Sequence, residues 1–246
     1  MITTENNEEM KILDITIDFE TASLRPDAAP LQLSAVAWNR YTAIGENPFY
    51  DADKLPIGLY NACINANHCI AEGYHFDNET IFWWSQKPAD AKIGILYGKF
   101  VSPRDAVMGL IELIKMLKDK LGVDVVCLWS QGTDCDITWL RGMCERYQID
   151  MPVGHVFFRD ARTFALEGIA LERESTIEDF GHAYDKLDFN FDEWASINIP
   201  NLIKGIEAHN AVYDCLRSSY NVWYIMQHIR QSLNGDEHIY FTKSEA

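Results

Sequence analysis

From Leu13 the apolar residues fall on every second position (Leu13, Ile15, Ile17, Phe19), and the residues between them (Asp14, Thr16, Asp18, Glu20) are polar. A two-residue period over this length predicts a β-strand with one buried face. Leu31 to Trp38 reads as a second strand, and the short connection through Pro26 makes it antiparallel to the first. A third strand is expected around Pro48 to Ala52, while 53–76 carries no clear period. Asp77-Asn78-Glu79-Thr80 caps a short helix carrying Ile81, Phe82, Trp83 and Trp84, with Pro88 just past its end. Ser102-Pro103-Arg104-Asp105 is a stronger helix start, with a capping serine, a proline at the first helical position and an acid in the first turn. Val107, Leu110, Ile111, Ile114, Leu117 and Leu121 then form an apolar stripe at helical spacing, and Gly122 ends it.

Val123 to Trp129 is apolar apart from Asp124, as expected of a strand buried on both faces. The polar turn Ser130-Gln131-Gly132-Thr133 leads to a helix with Ile137, Leu140 and Cys144 on one side. Val156-Phe157-Phe158 reads as a short strand entering Arg159-Asp160-Ala161-Arg162-Thr163. Residues 168–205 mix polar and aromatic positions and read as a lid or insertion, and a helix from about Asn210 to Ile229 closes the fold. Strands first, then helix, strand, helix, strand and helix predict one α/β domain over 11–232, a mixed sheet flanked by helices. The polar, acidic stretch 1–10 is expected to be a disordered lead-in, and 233–246 a C-terminal tail.

The 246 residues, 48% of them hydrophobic, suffice for one domain with a sizeable core. A net charge of −16 argues against an extended duplex clamp. It leaves room for a nucleic-acid enzyme, because bound divalent cations reverse the local field. The six cysteines form no C-x-x-C pair and no Cys/His cluster, which argues against zinc and for reduced core thiols. The N-terminus lacks a signal-peptide pattern and no run of 18 apolar residues exists, so a cytoplasmic protein without membrane contact is expected.

Candidate chemistry begins on the first strand. Asp18 and Glu20 project from one face, two strand rises of ~3.3 Å each apart. Such carboxylates repel unless a cation sits between them, which is the requirement of a magnesium site. Asp136 follows the Gly132 turn on the first turn of a helix, and Asp214 lies early in the last helix, five residues after His209. Strand ends and helix starts can converge at one edge of an α/β sheet.

In this order the residues resemble the DnaQ-like, or DEDD, 3′→5′ exonucleases, in the branch with a histidine (DEDDh). The motifs are Asp18-Phe19-Glu20-Thr21, Trp129 to Asp136, and His209-Asn210-Ala211-Val212-Tyr213-Asp214. The sister branch has tyrosine four residues before the last aspartate, where this chain has Asn210. In the second motif Asp136 fits the metal-linked position best, and Asp134 competes for it or caps the helix. Thr80 to Trp84 and Arg159 to Thr163 resemble segments of the T-even phage exodeoxyribonuclease A group and of small bacterial exoribonucleases.

The resemblance implies a ribonuclease H-like fold and hydrolysis of single-stranded DNA or RNA from the 3′ end, releasing 5′-mononucleotides. It implies two Mg²⁺ or Mn²⁺ ions, with Asp18 bridging both, Glu20 and Asp214 completing one site, and Asp136 holding the second ion. His209 is implied as the general base, a role suited to a side chain that ordinarily titrates near neutral pH. Thr21 falls where relatives contact the 3′-hydroxyl, Leu24 where some place an apolar wedge, and Trp84 is a candidate stacking platform. Asp160 and Arg162 read as a structural pair supporting the site. A homodimer is compatible with the resemblance. The competing readings are a non-catalytic nucleic-acid-binding adaptor that keeps the fold, and a proofreading subunit of a polymerase.

Overall fold

The centre of the molecule is β1 (Ile12–Thr21), in a mixed six-stranded sheet of order β4-β3-β2-β1-β5-β6. The computed structural model describes residues 11–169 and 189–233. β2 (Pro30–Trp38) runs antiparallel to β1, and β3 (Gly58–Ile64) antiparallel to β2. β4 (Phe100–Val101) is parallel to β3, β5 (Val125–Ser130) to β1, and β6 (Phe158–Asp160) to β5. The described helices are α1 (Ala66–Ala71), α2 (Asn78–Gln86), α3 (Ile93–Leu96), α4 (Pro103–Leu121), α5 (Asp136–Tyr147), α6 (Ala161–Ile169), α7 (Phe191–Asn198) and α8 (Ala211–Leu233). Among the described residues no helix is long and apolar enough to cross a membrane.

The expected mixed sheet flanked by helices is present. On one side Leu13, Ile15, Ile17 and Phe19 pack with Leu33 and Ala35 of β2 and with the stripe Val107, Leu110, Ile114 and Leu117 of α4. That helix starts and stops where its caps dictate: the Ser102 side chain accepts from Asp105 N, and Gly122 takes the left-handed φ of 58°. On the other side Trp38, Cys127 and Trp129 pack against Val212, Cys215, Leu216 and Trp223 of α8. Of the stretch read as a lid or insertion, 170–188 lies outside the described residues. Within the rest, Phe191, Ala195 and Ile199 join that second core.

Three expectations are corrected. β1 does not have a single buried face. Asp14 and Thr16 are buried as completely as their apolar neighbours, because α8 covers the polar side as well. Buried polar groups are tolerated when bonded; Trp38 Nε1 donates to Thr16 Oγ1 at 3.0 Å, and the Thr16 and Ser219 hydroxyls lie 2.7 Å apart. The third strand is at Gly58–Ile64 and not at 48–52. There Asp51 Oδ1 accepts from the backbone of Asp53 and Leu55, at 3.0 Å each, and draws the chain into a turn. Finally, 155–157 forms a 3-10 turn, and β6 begins only at Phe158.

Candidate active site

The parallel ladder between β1 and β5 ends at Thr16 opposite Trp129, after which the chain leaves β5 for α5. Beyond that point β1 still offers a backbone donor on the vacated side, and Asp136 fills it: its Oδ1 accepts from Phe19 N at 3.0 Å. Asp136 sits in the first turn of α5, where the helix dipole favours a carboxylate. It is buried, whereas Asp134 is exposed, so Asp136 is the second-motif acid that faces β1. Burial pushes the Asp136 carboxyl up to about 7 against the pull of the Phe19 N–H; Asp214 adds to the rise and Arg162 opposes it.

The start of α8 is built from across the molecule. Gln32 of β2 accepts from Ala211 N at 3.2 Å through Oε1, and Asn210 Oδ1 accepts from Val212 N at 3.1 Å. His209 just before it holds a left-handed φ of 70°, a conformation that non-glycine residues keep only where the surroundings impose it. Its backbone N–H donates to Asp214 Oδ2 at 2.8 Å, which ties the histidine to the carboxylate five residues on.

Asp18, Glu20 and Asp214 each bring a carboxylate oxygen to within 4.8 Å of the others. Two oxygen ligands of one octahedral magnesium, each at about 2.0–2.1 Å, lie roughly 3–4 Å apart, so a small inward shift makes this donor set fit. All-oxygen carboxylate sets suit magnesium or manganese rather than thiophilic ions. Burial raises Asp18 well above the usual carboxylate range, and the charges of Asp136, Glu20 and Asp214 add to it. Glu20 rises through burial and through Asp214 and Asp136, opposed by Lys87. Asp214 rises through burial, opposed by Arg217, whose Nη2 stands 3.6 Å from its Oδ1. This mutual repulsion is what a bound cation relieves.

His209 is half-buried at the rim. Its ring meets Trp83 edge to face with centroids 4.9 Å apart, and its Nε2 lies 3.1 Å from Lys87 Nζ. Lys87 Nζ in turn stands 3.9 Å above the Trp83 ring. The stacking platform expected at Trp84 is not available there: that ring is 5% exposed, and its Nε1 donates to the Thr21 carbonyl at 2.9 Å. Its neighbour Trp83 is 41% exposed, because α2 turns one indole into the core and the other toward His209. Thr21 is buried, with its hydroxyl donating to Ser23 O at 2.7 Å. Leu24 is 81% exposed on the loop after β1. Asp160 accepts from Thr133 N at 2.9 Å and Thr163 N at 2.7 Å, so it ties the turn before α5 to α6.

Lys87 and Arg217 lie outside the motifs that mark the site in the sequence. Arg217 had a signal, the i,i+3 spacing from Asp214 on a helix. Lys87 had none beyond lying at a helix end, where a cation is commonplace.

No curated protein matches the chain. Among solved structures, the nuclease domain of 3'hExo, a DEDDh family member, bound to rAMP, aligns with 95% of this chain and 98% of its own at 12% identity and a TM-score of 0.47. Cell-death related nuclease 4 (CRN-4) aligns with 92% of this chain and 67% of its own at 15% identity and a TM-score of 0.45. Residues 13–188 match the model of the 3'-5' exoribonuclease Rv2179c-like domain, a span that contains Asp18, Glu20 and Asp136 and stops before His209. With well over half of its length matched, the chain belongs to the Rv2179c-like 3'-5' exoribonuclease domain family and is a 3'-5' exonuclease.

Proposed function

We propose that the protein removes 5′-mononucleotides one at a time from the 3′ end of single-stranded RNA, using two divalent ions and His209 as general base. The observation that carries this reading is the convergence of Asp18, Glu20 and Asp214 within 4.8 Å, beside a half-buried histidine. Asp18 on β1 feels the charges of Asp136, Glu20 and Asp214 alike and is the residue suited to bridge two ions; Glu20 and Asp214 would complete one site and Asp136 the other. When bound, Mg²⁺ or Mn²⁺ neutralises charge on the scissile phosphate and lowers the pKa of water.

The side chains do the rest. His209 takes the proton of the attacking water, and its backbone bond to Asp214 keeps it in register with the carboxylates. The exposed Trp83 face offers a stacking surface for a base, an interaction worth about 1–3 kcal/mol and indifferent to sequence. Leu24 extends from the loop as an apolar wedge against the last base, and the Thr21 segment borders the 3′-hydroxyl. Choice of RNA over DNA rests on the family description, and preference for single strands on the net charge of −16.

The test is digestion of matched, 5′-labelled RNA and DNA oligonucleotides with magnesium. Stepwise shortening of RNA from a free 3′ end, stopped by chelator and by a 3′-phosphate, is expected. Internal cleavage, or no cleavage with any divalent ion, overturns the reading.

A further inference from the structure

A lysine ammonium carries N–H donors and no acceptor, so the 3.1 Å contact between Lys87 Nζ and His209 Nε2 has the imidazole accepting. A neutral imidazole has one ring lone pair, and here Lys87 holds it. Histidine in that arrangement cannot take a proton from water, so a base at His209 requires Lys87 to leave. We infer that Lys87 is a positioning residue that exchanges His209 for a phosphate oxygen of the RNA, so that substrate arrival frees the base. This rests on the reading of His209 as general base.

Three features support the exchange. The anionic oxygen of a phosphodiester is a stronger partner for an ammonium than a neutral imidazole is. Lys87 Nζ also stands 3.9 Å over the Trp83 ring, so the cation sits against the indole proposed to stack a base, close to where the adjoining phosphate would arrive. Its charge reaches Glu20 as well, so the group lies within range of the carboxylate cluster. Lys87 follows the last turn of α2 and has a flexible four-carbon stem, which allows the head to move without moving the helix.

The test compares wild type with Lys87→Met and Lys87→Arg. On a 3′-hydroxyl RNA oligonucleotide, K87M is expected to raise KM about tenfold, the scale of one lost charge-assisted hydrogen bond, with a flatter salt dependence. The effect on kcat is expected to be smaller, and K87R should recover most of the KM loss. Independently, the ¹⁵N resonance of His209 Nε2 should shift in wild type on adding 5′-AMP with magnesium, and should start at the released position in K87M without nucleotide. Failure of either readout overturns the exchange. A wild-type protein that leaves RNA intact while its imidazole resonance responds as stated overturns the functional reading instead, and the two failures are thereby distinguished.

Discussion

The two ends of β1 treat buried carboxylates in opposite ways. Asp14 and Asp18 lie on the same face of one strand, four residues apart. Asp14 is fully buried, and the protein supplies its counter-charge: Arg40 Nε donates to it at 2.7 Å and Trp129 Nε1 at 2.6 Å. Burial still raises its pKa, and Arg40 and Trp129 pull it back. At the other end Asp18, Glu20, Asp136 and Asp214 gather, and among the described residues the cations in reach are Arg217 at 3.6 Å from Asp214 and the more distant fields of Lys87 and Arg162. One acid per arginine makes a structural pair. Four acids with too little positive charge make a site that waits for a cation, at a cost to the stability of the fold.

The largest effects should come from the under-neutralised end. Asp18→Ala removes the proposed bridging ligand, and several kcal/mol of transition-state stabilisation corresponds to a loss of about 10³-fold or more in kcat. His209→Ala should lower kcat by about 10²–10⁴-fold, the usual contribution of a general base, with the circular dichroism spectrum unchanged. Undiminished RNA hydrolysis by either variant would break the functional half of the comparison.

The structural end should answer in stability instead. Arg40→Met leaves Asp14 buried without its partner and should cost about 3–5 kcal/mol in urea denaturation. Replacing both partners, Asp14→Asn with Arg40→Met, should recover part of that loss. Equal losses in the single and double variants would show that the ion pair is not what Arg40 contributes.

The pH dependence of the metal-free protein separates the ends further. The Asp136 carboxyl stands at about 7 when folded, against an ordinary value of 3.8, and Asp18, Glu20 and Asp214 are also raised. Between those limits the folded state holds more protons than the unfolded chain, so these groups make stability fall as pH rises. The Asp136 contribution is fully present below the ordinary carboxylate range and is lost as pH rises through about 7, and those of Asp18, Glu20 and Asp214 fall in the same direction as pH rises above that range. Thermal melts in chelator should therefore weaken over this window more in wild type than in Asp136→Asn. Magnesium at a hundred times its dissociation constant should restore about 2.7 kcal/mol near neutral pH. Melts in chelator and magnesium that coincide at pH 7.5 would argue that no cation site is present.

The smallest effect belongs to Leu24, just past the reactive end. Leu24→Ala should leave stability within about 0.5 kcal/mol, as expected of an exposed side chain, while raising KM for RNA a few-fold. An unchanged KM would remove Leu24 from the substrate track.

What the sequence determined by itself was local. The alternation from Leu13 to Glu20 marked β1 and put Asp18 and Glu20 on one face, because a strand has a period of two whatever it packs on. The Ser102 cap and the stripe to Leu121 marked α4 for the same kind of reason. The order and spacing of the acids point to the chemistry independently of any tertiary contact. Tertiary structure decided what depends on distant partners. Only distant partners cover the polar side of β1: Ser219 of α8, two hundred residues on, meets Thr16, and Arg40 and Trp129 hold Asp14. Only the end of the β1–β5 ladder selects Asp136 over Asp134, through the Phe19 N–H that needs an acceptor. The roll of α2 against the sheet sends Trp84 inward and Trp83 to His209, and carries Lys87 to an imidazole 122 residues away. Adjacent residues on a helix look alike in sequence, and which one meets the site is settled by packing.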